Sequence, residues 1–227
     1  MSDNIELIEE IDENSEKYIT SPKLDGENAA LLRSFLNDDV GEDVASNVFR
    51  NAYKGIRYFI NPEYEAANDG LSKILAIGRV QSGKTSYFIS SIALAFDNGY
   101  DLALLIGGTK NTLRDQNYDR VDEYFSNNSN IKVYDINKVD SDTVLNKISI
   151  GYKVVLVVLK NAAENANLGK AFQIASDCSN IPTLVVDDEG DEYTPGAPKL
   201  INKTNRIGAT HDKITNIIYY QYFPIHT

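Results

Sequence analysis

An α/β fold, a parallel sheet with flanking helices, is what this sequence predicts, and three observations predict it. Short β-rich runs recur from residue 73 onward, stretches long enough for a crossover helix separate them, and several runs are apolar at nearly every position. Continuous apolarity marks strands covered on both faces, and strands alternating with helices make a parallel sheet.

The strand candidates, in order, are KILAI (73–77), LALLI (102–106), IKVY (131–134), KVVLVVL (153–159), TLVVD (183–187) and NIIYYQYF (216–223). TSYFISSIALAFDNG (85–99) is the clearest helix between them. Ahead of these, residues 4–18 and 27–60 read as helical, because NAALLRSFL and VASNVFRNAYKGIRYFI repeat apolar residues at three-to-four spacing, with Pro22 in a linker. The expected organisation is an acidic helical N-terminal segment over 1–70 and an α/β lobe over 71–227.

Charge separates the same two parts. Residues 1–70 hold 16 Asp and Glu against 6 Lys and Arg, whereas residues 71–227 hold 17 against 16. The net charge of −11 argues against a generally basic nucleic-acid binder, yet the near-neutral remainder leaves room for a local basic groove. No apolar run approaches the roughly 18 residues of a membrane span, and the acidic start lacks a signal-peptide pattern, so a cytoplasmic protein with no membrane partner is expected. The single cysteine, Cys178, has no partner for a disulfide or a zinc site and reads as a small core residue; His211 and His226 lack metal-ligand spacing.

The chemistry concentrates at GRVQSGKT, residues 78–85, which fits the phosphate-loop pattern G-x-x-x-x-G-K-[ST] and lies between a predicted strand and a predicted helix. Gly78, Val80, Gln81, Ser82, Gly83, Lys84 and Thr85 form the nucleotide-binding candidate set. Backbone N–H groups from Val80 to Thr85, the positive end of the following helix and the Lys84 ammonium all answer the negative charge of a triphosphate. Gly83 permits close backbone approach, and the Thr85 hydroxyl is a candidate ligand for Mg²⁺.

The matching carboxylates come from TLVVDDEGDEY, where Asp187, Asp188, Glu189, Asp191 and Glu192 crowd the end of a strand. Five carboxylates in six residues repel one another unless some face a cation or solvent. Read as D-E-x-D, Asp188 holds Mg²⁺ through water and Glu189 is the catalytic residue that polarises the attacking water; Asp187 is the alternative metal residue, because the register at the strand end is open. NKVD (137–140) imitates a guanine-reading motif, but it precedes the D-x-x-G at 187–190, the reverse of the GTPase order, and reads as chance.

LLIGGTKNTLRDQNYDRV (104–121) puts two glycines and Thr109 after a strand and then opens a helix carrying Asn111, Arg114, Gln116 and Arg120. A helix N-terminus with arginine suits a nucleic-acid phosphate, and a capped surface helix fits equally well. Lys160 and Asn161 end a further strand at the same sheet edge.

Taken in order, GRVQSGKT, NGYDLALLIGGTKNTLRDQ, VVLVVLKN and PTLVVDDEGDEY resemble the first RecA-like lobe of superfamily-two helicases and, more narrowly, the Z-one domain family of endonucleases from bacterial restriction or phage-defence loci, over about residues 71–223. The resemblance implies a RecA-like P-loop NTPase sheet, ATP and Mg²⁺ as cofactors, nucleotide contacts at Gly78 to Thr85, metal and water chemistry at Asp188 and Glu189, and DNA-strand contacts around Thr109 to Gln116. It also implies that the last strand, 217–222, lies between the phosphate-loop strand and the Asp188 strand.

Two departures qualify it. Only 36 residues follow Asp191, too few for a second lobe, and FPIHT stands where the family places a TATP-like sequence, so the chain reads as a truncated or frameshifted frame. No Gln precedes the phosphate loop, which leaves base specificity open. The expectation is the ATP-binding lobe of a DNA-acting, helicase-like ATPase or endonuclease, incomplete as a motor: an ATPase once a second lobe or partner completes it, and one that meets DNA in that context. The alternative is a non-catalytic interaction fragment, its acidic front piece binding a protein partner and its nucleotide site vestigial.

Overall fold

The computed structural model describes residues 16–64, 72–73, 76–77, 84–107, 111–159, 167–188 and 221–226. In chain order these form α1 (Glu27–Val40), α2 (Glu42–Ile56), β1 (Ser72–Lys73), β2 (Ala76–Ile77), α3 (Lys84–Asp97), β3 (Leu102–Ile106), α4 (Asn111–Phe125), β4 (Ile131–Asp135), a 3₁₀ turn at Ile136–Lys138, α5 (Ser141–Ser149), β5 (Lys153–Val158), α6 (Asn167–Asp177), β6 (Thr183–Asp188) and β7 (Gln221–His226). The fold is α/β: every described strand pair is parallel, and helices cover both faces of the sheet.

Strand order is β1-β7-β6-β3-β5-β4, with β2 also on β7. The centre of this sheet, β6-β3-β5, is buried at almost every position, as continuous apolar runs require. Alternation then sorts the side chains into two cores. Ala103, Leu105, Val155, Leu184 and Val186 pack under α3 and α4, whereas Leu102, Leu104, Ile106, Val154, Leu156 and Val185 pack against α6 and the segment around Val144 of α5.

On the first face the helices form two tiers. Every residue of α3 from Ser86 to Phe96 is buried, so the helix has no wet side. The sheet covers one flank and α1 and α2 cover the other, through Ala29, Leu32 and Leu36 of α1 and Ala45, Phe49, Ala52 and Ile56 of α2. Each large side chain in that seam contributes about 1.5–3 kcal/mol by leaving water. Gly55 lets the helices close: a Cβ there would stand 2.7 Å from the Tyr87 hydroxyl.

The helical reading of 27–60 divides at two points. Gly41, at φ 87°, ends α1 and starts α2, a conformation glycine adopts at little cost. Beyond Ile56 the chain leaves the helix, and Ile60 bridges Tyr18 in antiparallel fashion, with Ile19 N–H donating to Phe59 O at 2.9 Å. The same bridge makes residues 16–18 a turn and extended chain, where a helix end was expected; residues 4–15 lie outside the described residues.

A second tie fixes α1 to α3. Gly26 caps α1 without a side chain, and the Asp97 carboxylate at the far end of α3 supplies the missing acceptor: Asn28 N–H donates to Oδ1 at 3.1 Å, Ala29 N–H to Oδ2 at 2.8 Å and Asn28 Nδ2 to Oδ1 at 2.8 Å. Asn28 Oδ1 in turn accepts from Asn128 Nδ2 at 2.7 Å, which carries the chain of bonds to the turn after α4. A Cβ at Gly26 would overlap the Asp97 carboxyl group. Asp97→Ala strands these donors and is expected to lower unfolding stability by about 1–3 kcal/mol, read as a shifted midpoint in urea.

Candidate functional site

Parallel strands deliver all their carboxyl ends to one edge, and ligand sites of such sheets gather there. The register fixes how closely the motif residues share that edge. Ala76 of β2 pairs with Ile225, and Ile225 pairs with Asp188 of β6, so β2 and the end of β6 are level with β7 between them. Two ladder spacings put those backbones about 9–10 Å apart. β7 therefore has the position expected of the last strand, but it runs to His226. Phe223, Pro224, Ile225 and His226 belong to the strand rather than following it, Pro224 being level with Asp187.

Helix α3 is described from Lys84. Its last residue, Asp97, is close to the start of β3 at Leu102, so its first turn lies toward the carboxyl edge of the sheet. Thr85 is half-buried on that first turn, and Ser86 behind it is buried. Gly78, Val80, Gln81, Ser82 and Gly83 lie outside the described residues, as does Glu189 with the rest of the acidic run after Asp188.

The two aspartates at the end of β6 part company. Leu184 and Val186 point into the core under α3, and Asp188 continues that row. Asp187 shares the opposite row with Val185 and is fully buried. Asp188 is partly exposed and close to α4: a Cβ added to Gly107 would stand 3.4 Å from Asp188 Cβ and 3.0 Å from Asn117 Nδ2. Gly107 thus leaves the gap through which the end of β3, Asn117 and Asp188 approach one another. Sequence spacing gave no hint of Asn117, since only the tilt of α4 over β3 brings it there.

The nucleic-acid candidates divide differently. Thr109 lies outside the described residues; Asn111 opens α4 and Arg114 follows on its first turn, and Gln116 is exposed on the second. All follow the carboxyl end of β3, the edge that also carries Asp188. Lys160 and Asn161 lie outside the described residues.

The NKVD stretch has structural uses. Asn137 N–H donates to Asp135 Oδ1 at 2.9 Å and Asn137 Oδ1 accepts from Asn167 Nδ2 at 3.1 Å, while Asp140 caps α5 through Thr143 N–H at 2.9 Å. Hydrogen bonds from the Thr143 hydroxyl and N–H hold the Asp140 carboxyl below the ordinary carboxylate range.

Among the described residues no group of three or more His, Cys, Asp and Glu side chains is arranged to hold a metal ion, and no helix is long and apolar enough to cross a membrane. Mg²⁺ does not require such a cage, because one or two carboxylates with substrate phosphates and water suffice. Thr85 and Asp188, a hydroxyl and a carboxylate at one sheet edge, fit that donor set. Comparison with family models, curated proteins and solved structures finds no match to this chain.

Cys178 stands apart from this edge, 2% exposed in the core beside α6, where burial pushes its thiol up to about 11. Deprotonation is what makes a thiol nucleophilic, so the native protein should resist a disulfide reagent at pH 8. Labelling is expected to track the unfolding transition in urea; rapid labelling of the folded protein would contradict the buried placement.

Proposed function

We propose that this chain is an ATP-binding lobe of the RecA-like P-loop class, working within a DNA-acting, helicase-like ATPase or endonuclease of the kind the Z-one domain family resemblance implies. The observation that carries the reading is the level register of β2, β7 and β6. It supports a single ligand reaching from the Gly78–Thr85 loop to Asp188, with one strand's width between them for a hydrated cation.

In this reading the loop N–H groups and Lys84 bind the phosphates, Thr85 and Asp188 are the magnesium residues, and Glu189 orients water for attack on the terminal phosphate. Mg²⁺, when bound, neutralises charge that develops on the phosphate oxygens. Asp188 takes the metal role in preference to Asp187 because it lies on the side of the sheet that carries α3, the helix of Lys84 and Thr85. The alternation of β6 supports that choice. A cation from a second lobe or a partner subunit accelerates such transfers by roughly 10³–10⁵, so turnover depends on that complement and DNA engages the motor in the same context.

Binding is the decisive test. At a hundredfold excess over Kd, MgATP stabilises a folded protein by about 2.7 kcal/mol, visible as a raised Tm. Lys84→Ala should abolish most of the rise and Asp188→Asn should reduce it when magnesium is present, with little effect in excess EDTA. Phosphate release stimulated by DNA favours the motor lobe. Nucleotide binding indifferent to DNA favours a lobe kept for interaction, and no nucleotide binding overturns the proposal.

A further inference from the structure

A cavity of about 340 Å³ opens where α1, α3 and α4 meet, lined by Phe35, Asp39, Thr85, Arg120, Glu123 and Tyr124. We propose that it receives the base-and-ribose end of the nucleotide, an inference that rests on the phosphate-loop reading above and adds to it the part of the ligand the loop does not hold.

Position comes first. Thr85 is the residue after Lys84 and forms part of the cavity wall, so a ligand with phosphates on the loop has its remaining portion within reach of this opening. The volume lies in the range of small-molecule sites, roughly 300–1,000 Å³.

Chemistry narrows the occupant. Two carboxylates, Asp39 and Glu123, face one guanidinium, Arg120, so the lining is net negative and repels further phosphate. The same groups suit a neutral moiety with both kinds of hydrogen-bonding group. Carboxylates accept from an exocyclic amine or sugar hydroxyls, and Arg120 donates to ring nitrogens or a carbonyl. Phe35 and Tyr124 supply the apolar surface, their ring centroids 5.0 Å apart and tilted by 51°.

The wall is also braced before any ligand arrives. Tyr124 Oη donates to Asp39 Oδ2 at 3.3 Å and shares a hydrogen bond with Ser86 Oγ at 3.4 Å, which fixes the ring between α1 and the first turn of α3. Burial, foremost, keeps this phenol protonated by raising its pKa, so it donates throughout the neutral range. A preset wall spares the ligand the ordering cost of making one.

Titration calorimetry on the full chain, comparing MgATP with magnesium tripolyphosphate, tests this. The wild type should prefer MgATP by tenfold or more, and Arg120→Ala with Glu123→Ala should cut that preference by about tenfold, the equivalent of one or two hydrogen bonds. Both side chains are exposed, so the double variant should fold; Phe35→Leu, which removes an aromatic face and keeps an apolar one, should act in the same direction. Equal affinity for the two probes, with Lys84-dependent tripolyphosphate binding, would overturn the pocket and leave the phosphate site standing. Variants that weaken both probes alike would also overturn it, and failure of both probes to bind would remove the phosphate site and the pocket together.

Discussion

Helix α3 has no face turned to water, and the arrangement of the rest follows from that. An apolar helix packed only on a sheet would leave half its surface wet. α1 and α2 close over it, with small residues at Ala45, Ala52 and Gly55 letting the second tier approach. The described part of the acidic front, residues 16–64, therefore contributes its apolar stripes to the core around α3 while its Asp and Glu residues are exposed. Held on two sides, α3 keeps a fixed tilt, and its first turn stays at the carboxyl edge of the sheet.

Parallel pairing brings several strand ends level at that edge. β7 is the element that matters most: it separates β2 from β6 by one strand and matches their ends in register. Adjacent strands would leave about half the spacing, less than the phosphate, cation and water of the proposed function need. Alternation along β6 then sends Asp188 toward α3 and buries Asp187 on the other side. A carboxylate in the second row is on the α6 side of the sheet.

The sheet was legible in the sequence because its central strands are buried on both faces, so β3, β5 and β6 announce themselves as unbroken apolar runs. The helix of α3 was legible too, because TSYFISSIALAF is a largely apolar stretch too long for a strand. Other features lie in contacts between distant segments. The break at Gly41 was hidden because both helices have three-to-four spacing, and nothing local to Arg57–Ile60 announces its pairing with residues 17–19. Charge described the front by its surface and was silent on Leu32, Leu36 and Phe49 beneath it. Asp187 against Asp188 is a question of parity, answered only when the strand's register is known. The α1–α3–α4 cavity draws on positions 35, 39, 85 and 120–124, and no spacing rule joins them.

The two ends of α3 perform different tasks through one device. At its last residue, Asp97 takes the N–H groups that start α1; at its first turn, Ser86 meets Tyr124, which reaches Asp39 near the end of α1. α1 is thus pinned to α3 near both ends, once by a carboxylate and once through a phenol. Thr85 and Tyr124 line the same opening, so the second of these pins borders it. On the proposed function, stability of the front helices and ligand binding would be linked thermodynamically: a ligand that tightens the first turn of α3 would also tighten α1, and loss of α1 would loosen the turn that opens with Lys84.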